Sequence, residues 1–303
     1  MRFEPNKLSA DAEASGAISS DPPTREMTFF DFVNMKNPVS MLSLSNRESV
    51  APITLITITF CLWGFSYGLL GTLGGHLQVI LQLDGWQPLG IHAAYFGGYF
   101  VSPLLIGRTV LKEWGYKSTF ITGLWIYACG ALIFWPSAVL TSFPAFTISN
   151  FVVGSGLGVL ETAANSFISL CGPLENAEIR LSISQGFQAI ATVISSLLAE
   201  KVFFKHVNDV SSLISVQWTY LSIVFFDVLL AVVLYYLPVP EAPDEDLEEL
   251  ADRRRDVNSR KVLGVPVIWL TLTFGVSSQY LYVAGQETFS TSFELFVTTS
   301  DPE

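Results

Sequence analysis

The sequence predicts an all-α, multi-pass membrane protein in which a bundle of six transmembrane helices is followed by a seventh helix. Half of the 303 residues are hydrophobic and only 14% are charged, whereas soluble domains average about 25% charged residues. The apolar residues form runs that are long enough to cross a bilayer, which takes roughly 20 residues per helix. Most of the charged residues lie outside these runs, in the first fifty residues and in 241–261.

This composition also argues against several function classes. The acidic balance, with a net charge of −11, does not suggest nucleic-acid binding. The three cysteines have the spacing of neither a disulfide framework nor a zinc site. The sequence contains no nucleophile–base set, so we expect no enzyme activity, no metal site and no cofactor.

The chain divides into four predicted regions. A polar cytoplasmic tail (1–50) precedes a six-helix bundle (51–239), a charged cytoplasmic linker (240–262) and a seventh transmembrane helix with the C-terminal end (263–303). The seven candidate spans are 52–80, 88–111, 118–140, 143–170, 180–203, 215–238 and 264–290.

The distribution of lysine and arginine predicts the orientation in the membrane. Basic residues are frequent in the N-terminal tail and in the second and sixth connections, and the first and third connections have none. Because cytoplasmic loops carry the excess of basic residues, we expect a cytoplasmic N-terminus. The plasma membrane is the expected location.

The linker segment "PVPEAPDEDLEELADRRRD" separates six helices from the seventh. It is either a short helix along the membrane surface or a solvated connection. Six helices, a charged linker and a further helix are typical of one half of a twelve-helix transporter and the start of its second half. Such halves contain two three-helix repeats, which here would be 52–140 and 143–238.

Both repeats would begin with a glycine row. Small residues on one face allow helix backbones to approach closely in lipid. The rows serve either packing alone or packing beside a moving cavity. Their members are Gly64, Gly68, Gly71 and Gly75 in the first span and Gly154 and Gly158 in the fourth.

Glu161 is the one acidic or basic residue between Phe151 and Cys171. A charge at this depth costs about 3 kcal/mol on insertion scales, so such residues usually face a cavity and serve function. With Asn165 it continues the stripe of Gly154 and Gly158. Because burial disfavours the charged form of a carboxyl, Glu161 could bind and release a proton. The alternative is a structural residue that bonds a neighbouring helix.

Polar faces also occur in the fifth and seventh spans. Gln185 and Gln188 are three residues apart, and Tyr282 and Gln286 are four apart with Glu287 adjacent. These side chains either bond neighbouring helices or bind a polar ligand. For Asp227, whose helical neighbours are apolar, an interhelical hydrogen bond or an outer-leaflet position is favoured over function.

The stretch "GLGVLETAANSFISLCGP", followed by "RLSISQGFQ", resembles the L-fucose–proton symporter family of the major facilitator superfamily. "LWGF", "AYFGGYF", "ITGLWIYACGALIFWP" and "YVAGQ" agree with this resemblance, which covers roughly residues 55–290. It implies transport of a sugar with protons through a cavity between two six-helix bundles. By the same resemblance, Glu161 matches the glutamate important for proton coupling, and Asn165, Gln185 and Gln286 match family positions.

The sequence departs from the family in two places besides its length. The first-helix aspartate of the family aligns with Gly71, and an expected asparagine is Gln188. The chain stops soon after the seventh span, so we expect a truncated member.

The sequence therefore predicts proton-coupled transport of a monosaccharide, fucose-like or another hexose, by alternating access. Glu161 would couple the proton, and Asn165, Gln185, Gln188, Tyr282 and Gln286 would bind the sugar. The expected partners are the sugar, protons and the lipid bilayer. The alternative is a membrane sensor or receptor-like protein that transports nothing.

Overall fold

The computed structural model describes residues 40–80, 86–140, 142–203, 213–253, 255, 259–262 and 264–300. The predicted polar tail up to residue 39 lies outside this part of the chain. Eight α-helices occur in the described residues: α1 (Asn46–Ile80), α2 (Gln87–Ser102), α3 (Arg108–Leu140), α4 (Phe143–Leu170), α5 (Ala177–Leu198), α6 (Leu213–Tyr236), α7 (Asp244–Arg253) and α8 (Val267–Ser300).

Short elements connect several of these helices. A π-helical turn, Pro103–Gly107, joins α2 to α3, and a second, Ala199–Phe203, follows α5. Two 3₁₀ turns cover Met41–Ser43 and Leu174–Asn176. The strands β1 (Lys261–Val262) and β2 (Val265–Pro266) form an antiparallel hairpin that leads into α8.

The helices confirm the predicted all-α membrane fold. Five segments of the described chain are long and apolar enough to span a membrane, and Tyr220–Tyr236 is a shorter apolar helix. One segment, Leu89–Ser137, has 49 residues and covers most of two predicted spans, 88–111 and 118–140. The chain turns at Gly115, which has a φ of +80° and lies in the predicted connection between those spans. A left-handed φ of this kind is far easier for glycine than for other residues.

The helices of the bundle pack in a pattern that resembles two repeats. α1 lies along α5, α2 lies along α4, and α3 lies along both α4 and α6. The pairs α1–α5 and α4–α2 are equivalent when the first three helices are matched to the next three. The main core lies between α3 and α4, where Phe120, Leu124 and Phe167 are fully buried.

The glycine rows lie at the two equivalent contacts. A Cβ atom on Gly64 would lie 2.1 Å from the backbone oxygen of Gln188 in α5, and one on Gly154 would lie 2.1 Å from that of Tyr95 in α2. Gly68 and Gly158 have similarly close neighbours in α5 and α2. Larger residues would push each pair of backbones apart. Gly71 differs, because a Cβ there would meet nothing within 4 Å; the surroundings of Gly75 lie outside the described side chains.

The two repeats differ in the position of α6. A cavity of about 670 Å³ separates α6 from α1 and α5, and its lining includes Phe65, Ile194 and Phe226. This apolar cavity is therefore not at Glu161. Asp227 of α6 is fully buried, and neither carboxyl oxygen has a hydrogen-bond partner among the described residues. The favoured interhelical hydrogen bond of Asp227 is thus absent from this part of the chain.

Glu241 joins several connections at one end of the bundle. Its carboxylate accepts hydrogen bonds from the backbone N–H groups of Tyr116 (2.8 Å) and Lys117 (2.9 Å), and its backbone oxygen accepts one from Met41 (2.9 Å). Burial raises the pKa of the Glu241 carboxyl, and these N–H groups oppose that effect. The helix α7 begins at Asp244, so the described linker contains a short helix.

Candidate functional site

Glu161 lies near the middle of α4, the helix that contacts α1, α2, α3 and α5. Its side chain is half-buried, whereas Leu160 and Ala164 beside it are buried in the core. The side chain of Asn165, one turn further along, interacts with the carboxyl. The α4 helix thus presents a carboxyl and an amide together at a partly open surface.

Four aromatic side chains of α1 and α2 form a cluster near this surface. Trp63 stacks on Tyr67 with ring centroids 5.3 Å apart and meets the edge of Tyr99 at 6.4 Å. Tyr95 stacks on Tyr99 with centroids 6.2 Å apart. The Tyr95 hydroxyl lies within electrostatic range of Glu161 and of Tyr67, so the aromatic cluster and the α4 carboxyl belong to one region.

Three buried polar atoms of this region have no hydrogen-bond partner in the described structure: Trp63 Nε1, Tyr95 Oη and Asn165 Oδ1. Nearly all buried polar groups in proteins are paired, so unpaired ones call for an explanation. The indole is a donor, the amide oxygen is an acceptor and the hydroxyl is both. Together with the aromatic rings, they can bind a ligand that has several hydroxyl groups and an apolar face.

A second carboxyl belongs to the same region. The Tyr67 hydroxyl contacts both carboxyl oxygens of Glu287 in α8, at 2.8 Å from Oε1 and 2.7 Å from Oε2. Glu287 also lies within electrostatic range of Tyr95. The site therefore includes groups from α1, α2, α4 and α8.

The structure separates the stripe that the sequence places along α4. Gly154 and Gly158 are buried against the backbone of α2, where Cβ atoms would lie 2.1 Å and 2.6 Å from carbonyl oxygens. Glu161 and Asn165 lie beyond that contact and are half-buried. The glycine half of the stripe is therefore a helix contact, and Glu161 and Asn165 form its partly open half.

The remaining predicted binding residues lie apart from this cluster. Gln185, Tyr282 and Gln286 are exposed, and Gln188 is half-buried. Among the described residues, no hydrogen bond joins any of these four side chains to Glu161. The described residues also contain no group of three or more His, Cys, Asp or Glu side chains that could hold a metal ion.

Sequence reasoning did not select Tyr67, Tyr95, Tyr99 or Glu287 as site residues. In an apolar helix, aromatic residues most often indicate packing, and nothing in the spacing of Tyr67 shows that its partner lies in α8. A signal was present in "AYFGGYF", where Tyr95 and Tyr99 are four residues apart. That spacing places two hydroxyl-bearing rings on one face of a helix.

Comparison with known proteins identifies relatives of most of this chain. The family model for the Major Facilitator Superfamily matches residues 47–301. The L-fucose-proton symporter of Escherichia coli is 30% identical over 213 residues, which are 64% of this chain and 48% of the relative. A putative glucose/galactose transporter of Helicobacter pylori is 29% identical over 255 residues, which are 81% of this chain and 59% of the relative.

Solved structures give the same result. A single-residue variant of the E. coli fucose:proton symporter matches 63% of this chain and 50% of its own, with a TM-score of 0.54 and 29% identity. A structure of that transporter in the outward conformation matches 68% of this chain and 57% of its own, with a TM-score of 0.57 and 28% identity. The chain spans about half the length of the relatives it matches. The resemblance found in the sequence is confirmed, and the chain belongs to the Major Facilitator Superfamily.

Proposed function

We propose that this chain forms the first bundle, and the first helix of the second bundle, of a proton-coupled monosaccharide transporter. The observation that carries the proposal is the half-buried Glu161 carboxyl, next to Asn165 and near the unpaired hydroxyl of Tyr95. A charged carboxyl at this depth in the membrane is energetically unfavourable, so residues of this kind usually face a cavity and serve function.

The unpaired polar atoms favour a sugar as the ligand. Sugar hydroxyl groups both donate and accept hydrogen bonds, so they can pair with the N–H of Trp63, the hydroxyl of Tyr95 and the amide oxygen of Asn165. The rings of Trp63 and Tyr99 supply an apolar surface beside these groups. The names of the relatives, L-fucose-proton symporter and glucose/galactose transporter, support a monosaccharide as the substrate class.

The polar residues of the other helices have a place in this proposal. Gln185 and Gln188 of α5, and Tyr282 and Gln286 of α8, would bind sugar hydroxyls when the two bundles close around the ligand. In alternating access, one bundle rocks against the other about a site near the membrane midplane. Side chains that are apart in one conformation can therefore meet in another.

Glu161 would supply the coupling between sugar and proton. Sugar binding changes the water content of the cavity, and burial disfavours a charged carboxyl. Protonation of Glu161 would thus accompany sugar binding, and release of the proton on the other side would accompany release of the sugar. The relatives are named as transporters, which favours this function over the sensor or receptor alternative.

The protein is a multi-pass membrane protein, and we propose a cytoplasmic N-terminus in the plasma membrane. The basic residues of the N-terminal tail and of the connection at 108–117 support this orientation. Protease digestion of sealed vesicles tests it. An N-terminal tag that is cleaved from the outside of intact cells would overturn it.

Uptake by proteoliposomes tests the proposed function. The complete transporter, in which this chain forms the first bundle and the first helix of the second, is reconstituted, and uptake of labelled L-fucose, galactose and glucose is measured with and without an inward proton gradient. We expect the gradient to drive uptake of at least one sugar, and Glu161→Gln to remove the dependence on the gradient. Glu178→Gln is the matched control, because Glu178 is an exposed carboxyl at the start of α5. Unchanged proton-driven uptake by Glu161→Gln would refute the coupling role.

A further inference from the structure

Glu287 is half-buried, whereas most described residues of α8 are exposed. It lies 20 residues after Val267, where α8 begins, and Tyr67 lies 21 residues after Asn46, where α1 begins. At 1.5 Å per residue, both positions are about 30 Å from the starts of their helices. In the predicted order of spans, the first and seventh cross the membrane in the same direction, which places the two residues at matched depth.

Tyr67 contacts both oxygens of the Glu287 carboxyl. The Tyr67 hydroxyl is 2.8 Å and 2.7 Å from the two oxygens of Glu287, so one O–H group donates to a carboxylate as a whole. The Tyr67 ring is held in place by stacking on Trp63. The helix α8 contains no lysine, arginine or histidine, so its own sequence supplies no cation to Glu287.

Among the described residues, the titratable side chains in contact with Glu287 or within electrostatic range of it are Tyr67 of α1 and Tyr95 of α2, and Tyr95 is also within range of Glu161 of α4. Two carboxyls therefore border one region, one from each bundle. One turn after Tyr67, Gly71 leaves the α1 side open, because a Cβ there would meet nothing within 4 Å.

We propose that Glu287 is a second proton-binding group of this region, and that its ionised carboxylate fastens α8 to α1 through Tyr67. Hydrogen bonds to an ionised group are roughly twice as strong as neutral ones. When Glu287 takes a proton from water, the carboxylate becomes a neutral acid and this bond weakens. The first helix of the second bundle is then released from the first bundle. This inference rests on the proposed transport cycle, to which it adds a proton-dependent contact between the bundles.

The distance between α1 and α8 tests this proposal without any transport measurement. Spin labels are attached at Gly71→Cys and Gly285→Cys, two positions where a Cβ meets nothing within 4 Å. The distance between the labels is measured by electron paramagnetic resonance for the full chain in lipid nanodiscs, as a function of pH. The native cysteines are first replaced by serine; they are Cys61, Cys129 and Cys171.

We expect a short distance when Glu287 is ionised and a longer one after acidification. Glu287→Gln and Tyr67→Phe should give the longer distance at every pH. Glu287→Asp should keep the dependence on pH. Tyr280→Phe, a change to an exposed tyrosine of α8, is the matched control and should behave as the unchanged protein.

Glu161→Gln separates this inference from the proposed function. If the label distance still depends on pH in this variant, the titrating group is not Glu161. A distance that responds to pH equally in Glu287→Gln would overturn the inference, and so would a distance that Tyr67→Phe leaves unchanged. The coupling role of Glu161 is tested by uptake, so either proposal can fail while the other survives. If Glu287→Gln does not fold, Tyr67→Phe and Glu287→Asp give the result.

Discussion

Glu161 and Asp227 are carboxyl residues of two apolar helices, and their surroundings differ. Glu161 is half-buried beside Asn165 and near an unpaired tyrosine hydroxyl. Asp227 is fully buried in α6, and the nearby Tyr127 hydroxyl is already hydrogen-bonded to Ser66 of α1. Depth in the membrane is therefore a poor guide to function. A group that exchanges protons also needs access to water and polar neighbours, and of these two regions the one around Glu161 offers both.

The largest expected effect is on coupling. Glu161→Gln should abolish the effect of pH on sugar affinity, and coupling between two sites typically changes an affinity by about 5-fold to 150-fold. Asp227→Asn should leave that effect in place, because Asp227 lies outside the proposed sugar region. Equilibrium sugar binding at several pH values measures both variants. If the two variants lost the dependence of sugar affinity on pH to the same extent, the proposed difference between the two regions would be wrong.

The glycines sharpen the comparison between packed and open parts of the helices. Gly154→Ala should destabilise the bundle by about 1–3 kcal/mol, which is the usual cost of overpacking, because the added Cβ would lie 2.1 Å from the backbone oxygen of Tyr95. Gly71→Ala is the matched control in α1 and should have little effect or a small stabilising one, since alanine favours a helix over glycine.

Thermal unfolding in detergent micelles measures both glycine variants. A loss of stability in Gly71→Ala as large as that in Gly154→Ala would mean that α1 is packed along its whole length, and that the open region beside Tyr67 is absent.

The sequence predicted these features to different extents. Helical spacing identified Glu161, Gly64 and Gly154, because a single charge or small residue in an apolar run is conspicuous in one helix. The different surroundings of Gly71 were not predictable, since they depend on where α5 ends its contact with α1. The pairing of Tyr67 with Glu287 was likewise hidden, because it joins residues 220 positions apart.

The buried carboxyl of Asp227 can itself be tested by removal. Asp227→Leu should stabilise the bundle or leave it unchanged, because an unsatisfied buried polar group costs about 1–3 kcal/mol. Unfolding by denaturant measures the change in free energy. A marked loss of stability would show that Asp227 has a partner, such as bound water. The surroundings of Asp227 would then be polar, like those of Glu161, and the proposed difference between the two regions would be wrong.

Two tyrosines give the smallest expected effects. Tyr95→Phe removes an unpaired hydroxyl and should weaken sugar binding by about 1 kcal/mol while stability is kept. Tyr127→Phe removes a hydroxyl that is bonded to Ser66, so it should cost stability and leave sugar binding unchanged. Calorimetric titration with sugar, together with thermal unfolding, separates these outcomes. The reverse pattern would place the ligand region near α3 and α6.

Proton uptake on addition of sugar tests the role of Glu161 most directly. The chain in lipid nanodiscs is placed in weakly buffered solution with a pH-sensitive dye, and the sugar is added. Because linkage is reciprocal, a protein whose sugar affinity depends on Glu161 protonation must take up protons when sugar binds. We predict proton uptake by the unchanged chain and none by Glu161→Gln. Sugar binding without proton uptake, or uptake that persists in Glu161→Gln, would contradict the assignment of Glu161 as the coupling residue.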